Sequence, residues 1–230
     1  MSLADDLKAQ VIKIFKEQWA ERDGTVVPTS DDVQLGNDAI KLEATVFYAD
    51  LDGSTNLVDT YTARFAAEVY KTFLYCAAKI IRNEGGEITA YDGDRVMAVF
   101  LGDAKNSSAA RAALKLNYAR LKIIQPALQA QYPKVDYTLK HVVGIDTSSL
   151  LIARTGIRGA NDLVWVGRSA NYAAKLASLT SDYPTRITAQ VYNKLNVEAR
   201  ETDGKNMWTQ AKWTDMGNIP IYRSTWRWPI

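Results

Sequence analysis

Apolar positions along this chain recur with two periods, one near 3.6 and one near 2, and the alternation between them predicts the order of elements. Leu7, Val11, Ile14 and Phe15 stand three and four apart within residues 2–20, so an amphipathic helix opens the chain. Its polar side carries Lys8, Lys13 and Glu17, and its apolar side is expected to dock on the rest of the domain. Residues 22–40 are rich in Gly, Pro, Asp, Ser and Asn and read as a loop. A strand over 43–50 leads into a long helical stretch ending near Arg82, with Phe65, Val69, Phe73, Ala77 and Ile80 on one face. Asn83-Glu84-Gly85-Gly86 closes that stretch, because glycine supplies the left-handed cap.

Strands over 87–91 and 95–101 follow, joined at the tight turn Asp92-Gly93-Asp94. Residues 106–130 read as a helix with Ala110, Leu114 and Leu121 inward. Two strands, 136–146 and 149–155, precede the polar segment from Thr155 to Asp162. A strand at 163–166, a helix at 168–179, a short strand near 186–188 and a strand pair around 208–226 complete the pattern. The core order of strand, helix, strand, strand, helix, strand predicts an α/β (α+β) fold. It is a ferredoxin-like βαββαβ core whose mixed sheet is covered by helices on one face, with an N-terminal helix and C-terminal strands added. Two parts are expected: a helix and loop over 1–42, and one domain over 43–230.

Composition changes this picture little. At 230 residues the chain is long enough for one full core, and its 28 basic against 26 acidic residues give no pull toward nucleic acid or an anionic membrane. Cys76 is the single cysteine, which excludes an internal disulfide and suits a reducing compartment. The start, Met1-Ser2-Leu3-Ala4-Asp5-Asp6, has no apolar signal core, and no apolar run approaches the ~20 residues of a membrane span. A cytoplasmic chain is the expectation.

Candidate chemistry sits at two strand ends. Val46-Phe47-Tyr48-Ala49-Asp50-Leu51-Asp52-Gly53-Ser54-Thr55 delivers Asp50 to the end of a strand and then offers a small-residue turn that admits phosphate. Gly93-Asp94-Arg95-Val96-Met97-Ala98-Val99-Phe100 brings Asp94 to the start of another. Two carboxylates on neighbouring strands beside exposed backbone suit a pair of divalent metals acting on a nucleoside triphosphate.

These segments resemble the catalytic domain of class III nucleotidyl cyclases, the adenylate and guanylate cyclase homology domain, over roughly residues 43–226. Tyr48–Thr55 is similar to the family's Phe-x-Asp-Ile-x-Gly-Phe-Thr, and Gly93–Phe100 to its second metal motif. Val143-Gly144-Ile145-Asp146-Thr147 resembles the family's Val-Gly-Ile-His-Thr, and Gly167–Leu176 its Gly-x-x-Val-Asn-x-Ala-Ala-Arg-Leu helix. The resemblance implies a head-to-tail homodimer with two composite sites. Asp50 and Asp94, with the Leu51 carbonyl, would hold two Mn²⁺ or Mg²⁺ ions, and Gly53, Ser54 and Thr55 would face the phosphates. Asn171 and Lys175 would complete the site from the partner subunit. They are four apart and so share one helix face.

The departures from the family narrow the substrate. Ala90 and Val164 stand where adenylate cyclases carry polar base-reading groups, and neither hydrogen-bonds a purine edge. Specific polar contacts discriminate ~10⁴-fold or more, which an apolar pocket does not reach. Tyr48 replaces the usual phenylalanine, narrowing the pocket and adding a hydroxyl. The pattern resembles the pyrimidine cyclases of bacterial anti-phage defence, which implies UTP ahead of CTP as substrate and a separate effector chain that binds the cyclic product. Lys175 replaces the family's arginine and trades a planar fork for a point charge. Near the C-terminus Tyr222 aligns with the triphosphate-binding lysine, leaving Arg223, one position on, as the candidate for the terminal phosphates.

Other readings explain less. Asp50-Leu51-Asp52-Gly53-Ser54 also resembles the nucleophile motif of haloacid dehalogenase-type phosphatases, but the later acidic pair those enzymes need is missing, since Ala98 stands four residues after Asp94. A purine cyclase is one alternative. A catalytically silent cyclase-like domain that senses nucleotides or dimerises is another, weighed against the presence of both Asp50 and Asp94. His141 in its apolar strand reads as a core residue rather than a base.

Overall fold

The computed structural model describes residues 2–230. In chain order its elements are α1 (Leu3–Lys16), β1 (Ala20–Asp23), β2 (Asp38–Leu51), α2 (Ser54–Thr60), α3 (Ala63–Asn83), β3 (Glu87–Asp92), β4 (Arg95–Phe100) and α4 (Lys105–Ala119). Then come α5 (Gln125–Gln131), β5 (His141–Ile157), β6 (Ala160–Val166), α6 (Arg168–Ala177), β7 (Thr185–Thr188), α7 (Ala189–Tyr192), α8 (Val197–Arg200), β8 (Glu201–Thr202), β9 (Lys205–Asn206), β10 (Thr209–Trp213) and β11 (Ile219–Ser224). The chain forms two units. The larger is Ala44–Ser148 with Arg168–Ile230, and the smaller is the chain up to Glu43 with Ser149–Gly167.

In the larger unit the sheet runs β10-β11-β7-β5-β2-β4-β3. It is mixed: β5 and β7 are parallel, while β2–β4, β3–β4, β7–β11 and β10–β11 are antiparallel. Side chains alternate between the faces of each strand. Phe47, Ala49, Leu51, Val96, Ala98, Phe100, Val143, Ile145 and Ile187 all point to one face, where they form a single apolar cluster with α3 and α4. This is the predicted βαββαβ core with its mixed sheet and covering helices.

One helix departs from the expectation of cover on a single face. Gly144 points away from that core, and a Cβ placed on it would stand 2.1 Å from the Ala173 oxygen and 2.6 Å from the Ala177 nitrogen. Helix α6 therefore lies on the opposite face, in backbone contact with β5. Two further contacts hold it there. Leu176 packs with Trp213 and Ile221, and Arg168 at the helix start binds the fully buried Asp146 through Nε at 2.9 Å. Thr188 donates to the same carboxylate at 2.5 Å.

Local chemistry explains where the elements differ from the pattern. The stretch expected as one helix up to Arg82 is broken at Tyr61–Thr62, because the Thr62 hydroxyl accepts from the Phe65 amide and starts α3 afresh. The helix expected over 106–130 is interrupted by a π turn at Arg120–Ile124. Pro126 follows, which lacks an amide proton and clashes with the carbonyl four residues back, so the ladder widens there. Residues 136–140 are not strand. Gln125 takes the place of a strand partner, donating to the Tyr137 carbonyl and accepting from the Leu139 amide. The segment 149–155 continues the strand before it, so β5 is one element. His141 is buried with neither ring nitrogen hydrogen-bonded, and burial, aided by Arg120, pushes its pKa down to about 3. It is a neutral core residue and has no role as a base.

The smaller unit holds α1, β1, the first part of β2, the last part of β5 and β6. Strand β1 pairs in parallel with β2, and β5 with β6 in a hairpin whose tip is Arg158-Gly159. Helix α1 is closed at its start by a capping box between Ser2 and Asp5, and at its end by Asn37, whose side chain donates to the carbonyls of Ile14 and Glu17. No residue of α1 is buried, so its apolar side stands exposed where its periodicity suggested a covered face.

Gly144→Ala tests the close approach of α6. The clash is with backbone that cannot swing aside, so the variant should lose about 2 kcal/mol or more of stability, read as a lower urea midpoint. An unchanged midpoint would mean that α6 does not lie against β5.

Candidate active site

The face of the sheet left open by α3 and α4 carries the polar chemistry. In β2, Tyr48 and Asp50 point opposite to Phe47, Ala49 and Leu51 and so face away from the core. Tyr48 stands opposite Met97 of β4, and Met97 opposite Ala90 of β3, giving a three-strand row Tyr48-Met97-Ala90. Beyond it, Ala49 pairs with Val96, which brings Arg95 across from Asp50. Gly53 (φ 78°) turns the chain out of β2, and Gly93 (φ 59°) reverses β3 into β4 just before Asp94. A side chain is strained at either glycine, so the two motif glycines fix the turns that present Asp50 and Asp94.

The two carboxylates are held differently. Asp50, 14% exposed at its side chain, accepts from Arg95 Nη2 at 2.7 Å. Burial pushes its carboxyl above the usual aspartate range; Arg95 opposes this, and repulsion from Asp94 and Asp92 adds to it. Asp94 Oδ2 is buried with no hydrogen-bond partner. A buried carboxylate oxygen without a donor is costly, and a cation between the two groups would satisfy both. These residues therefore fit a divalent metal. Among the described residues no group of three or more His, Cys, Asp or Glu side chains gathers, so the pair is only part of a coordination shell. Such a site is completed by backbone oxygen, water and substrate phosphate, as Mg²⁺ sites commonly are. The Leu51 carbonyl lies at the same turn.

Asp52 is a turn residue. Its amide donates to the Lys140 carbonyl at 3.0 Å, and its carboxylate accepts from the Ser181 hydroxyl. Ser54 and Thr55 open α2 behind Gly53, a cap with no side-chain hydrogen bond. Two residues at the site escaped the sequence reading. Tyr70 of α3 lies close to Ser54, and burial together with Asp94 and Asp50 raises its hydroxyl pKa, with Ser54 opposing. Arg95 is the counter-cation of Asp50, and it was legible only through the β2–β4 register. Tyr48 is half-buried; burial, with Asp92 adding and Arg95 opposing, keeps its hydroxyl protonated.

The other expected residues lie elsewhere. Asn171 and Lys175 occupy the exposed side of α6, and Lys175 Nζ reaches Met216 Sδ at 3.6 Å, just past β10. Helix α6 lies against β5, the neighbour of β2, but the Lys175 ammonium points toward Met216 rather than toward the carboxylates. Arg223 of β11 faces Arg186 of β7, its guanidinium 3.9 Å over the Tyr183 ring and its Nε buried without a hydrogen bond. Tyr222 points to the other face and stacks on Tyr192 at 3.6 Å, so Arg223 is the residue on the open face. Val164 belongs to the smaller unit, on the exposed side of β6 opposite Ala153.

The model of the adenylate and guanylate cyclase catalytic domain matches residues 39–216. A uridylate cyclase from Burkholderia cepacia is 56% identical, and one from Xanthomonas perforans 54% identical, each aligned over 100% of both chains. Among solved structures, the adenylyl cyclase CyaB from P. aeruginosa superimposes with a TM-score of 0.68 at 20% identity, covering 81% of this chain and 95% of that one.

The unpartnered oxygen predicts the behaviour of Asp94→Asn. Losing the charge should raise the thermal midpoint of the metal-free protein by roughly 2–4 °C, the shift that about 1 kcal/mol gives in a chain of this size. The same variant should lose any upward shift that Mn²⁺ gives the wild type. An undiminished Mn²⁺ shift would place the metal elsewhere.

Proposed function

Because the chain belongs to the adenylate and guanylate cyclase catalytic-domain family, we propose that it is a nucleotidyl cyclase that converts UTP to its 3′,5′-cyclic monophosphate and pyrophosphate. One observation carries the reading. Asp50 lies on the sheet face opposite the core with the row Tyr48-Met97-Ala90, a single hydroxyl among apolar side chains, and Asp94 stands near it at the β3–β4 turn. The full-length identity to uridylate cyclases supports the same substrate.

In the reaction the ribose 3′-oxygen attacks the α-phosphorus, loses its proton, and displaces pyrophosphate. Asp50, Asp94 and the Leu51 carbonyl would hold two divalent cations, Mn²⁺ or Mg²⁺, which would supply activation of the hydroxyl and neutralisation of the triphosphate. The chain's own groups do the rest. The amides from Gly53 to Thr55 face the phosphates, where the start of a helix favours anions. The protonated Tyr48 hydroxyl donates to the base and takes up the space a purine would need, while Ala90 lines the pocket without polar contacts.

Asn171 and Lys175 serve the site of a second copy, Asn171 orienting the ribose and Lys175 countering charge on the reacting phosphate. Both side chains are exposed on α6, and Lys175 turns toward Met216 rather than toward the carboxylates of its own chain, which supports this. Arg223, with an unsatisfied Nε, takes the terminal phosphates. The product serves as a second messenger for a separate effector chain, in the anti-phage signalling that the family pattern implies.

Purified protein with Mn²⁺ and each of ATP, GTP, CTP and UTP tests the substrate, with products identified by mass. Cyclic UMP is expected as the main product, and Tyr48→Phe should shift the UTP-to-ATP preference by about tenfold. Cyclic AMP or GMP as the main product would overturn the pocket reading, and no product from any triphosphate would favour a silent domain.

Asp50→Ala and Asn171→Ala should each be inactive alone. After subunit exchange a one-to-one mixture should recover about a quarter of wild-type activity, since half the dimers are mixed and each has one intact site. No recovery after confirmed exchange would sink the shared site.

A further inference from the structure

Helix α1 is capped at both ends, yet none of its apolar residues is buried. Ser2 and Asp5 close the start, and Asn37 satisfies the carbonyls of Ile14 and Glu17 at the end. Leu3, Leu7, Val11, Ile14 and Phe15 nevertheless stand in solvent, Phe15 at 85% exposure and Val11 at 50%. Spacings of four, four and three, with Phe15 beside Ile14, draw them into one stripe along the helix. A contiguous apolar stripe on a well-fixed helix marks an interaction surface rather than a solvated face.

We propose that this stripe is an interface between two copies of the chain, with the two α1 helices packed antiparallel. The charges choose both the partner and the direction. The first turn carries Asp5 and Asp6 and the last turn Lys13 and Lys16. A parallel pair would set like charges together at each end, whereas an antiparallel pair sets acid against base at both ends. Centred near Ala9, the antiparallel pair brings Leu7 against Val11 of the second copy and Leu3 against its Phe15. In that register Lys13 of each copy falls at the level of Asp5 and Asp6 of the other, once at either end of the pair. The opposing macrodipoles favour the same direction.

A helix of 14 residues is marginal by itself in water, so this pairing adds to another contact and does not replace one. The contact is separate from the composite site of the proposed function, and it requires only that two copies meet. A membrane surface is the less suited occupant, because two aspartates offset three lysines along α1.

The test uses the full chain carrying Leu7→Glu and Val11→Glu, both at exposed positions outside the core. Sedimentation should show the dimer Kd raised about tenfold or more, the equivalent of losing roughly one buried aliphatic side chain, at unchanged helicity and thermal midpoint. Direction is read in a Cys76→Ser background under mild oxidation. Leu3→Cys should cross-link with Phe15→Cys in a mixture, and Leu3→Cys should not cross-link with itself. Self-cross-linking of Leu3→Cys without the mixed product would overturn the antiparallel arrangement.

An unchanged Kd would overturn the interface, while recovery of activity on mixing Asp50→Ala with Asn171→Ala would leave the shared catalytic site standing. A wild type that stays monomeric at every concentration would remove both. Stripe variants that lose binding to phosphatidylserine vesicles at unchanged Kd would also overturn the proposal and give the stripe to a membrane surface.

Discussion

Strand β2 cannot bury both of its sides in the same core, and much of the larger unit follows from how that constraint is met. Phe47, Ala49 and Leu51 go under α3 and α4, and the residues between them, Tyr48 and Asp50, are left to the opposite face. The same alternation acts on β4, β5 and β7. It places Arg95 and Met97 beside Asp50 and Tyr48, and it leaves Gly144 and Asp146 on the side that receives α6. One face is apolar and closed by helices. The other gathers the carboxylates, the tyrosine row and the helix with Asn171 and Lys175.

Two aspartates, Asp146 and Asp94, show how a structural carboxylate differs from a functional one. Asp146 is fully buried, and its oxygens are taken by Arg168 and Thr188, so its charge is spent fixing the start of α6. Asp94 keeps an oxygen with no donor, and neighbouring Asp50 has a single cation, Arg95, against the repulsion of Asp94 and Asp92. A network satisfied at every atom is inert, whereas an unsatisfied one is poised to take a ligand.

The βαββαβ order of the core and the glycine turns beside both aspartates were legible in the sequence because each depends on spacing and local turn chemistry. Gly53 and Gly93 could be read as turn residues with no knowledge of what lay across from them. What escaped depends on contacts distant along the chain. Arg95 meets Asp50 only through strand register, and Tyr70 reaches Ser54 only once α3 lies over the sheet. The break before α3 needed the Thr62 cap, a weak signal inside a strong helical period. For α1 the periodicity was right and its consequence was not, since an apolar stripe tells that something will cover it and not what.

The anchoring of α6 bears on how output depends on abundance. Gly144, Asp146 and Arg168 belong to the same chain as the helix they hold, so Asn171 and Lys175 are in position before any second chain arrives. On the shared-site reading, each newly made chain is a finished half, and encounter alone completes the catalyst. Below the dimer Kd the yield of complete sites then rises with the square of the protein's concentration. A modest increase in synthesis becomes a steep one in product, a threshold arising from mass action with no added regulatory domain.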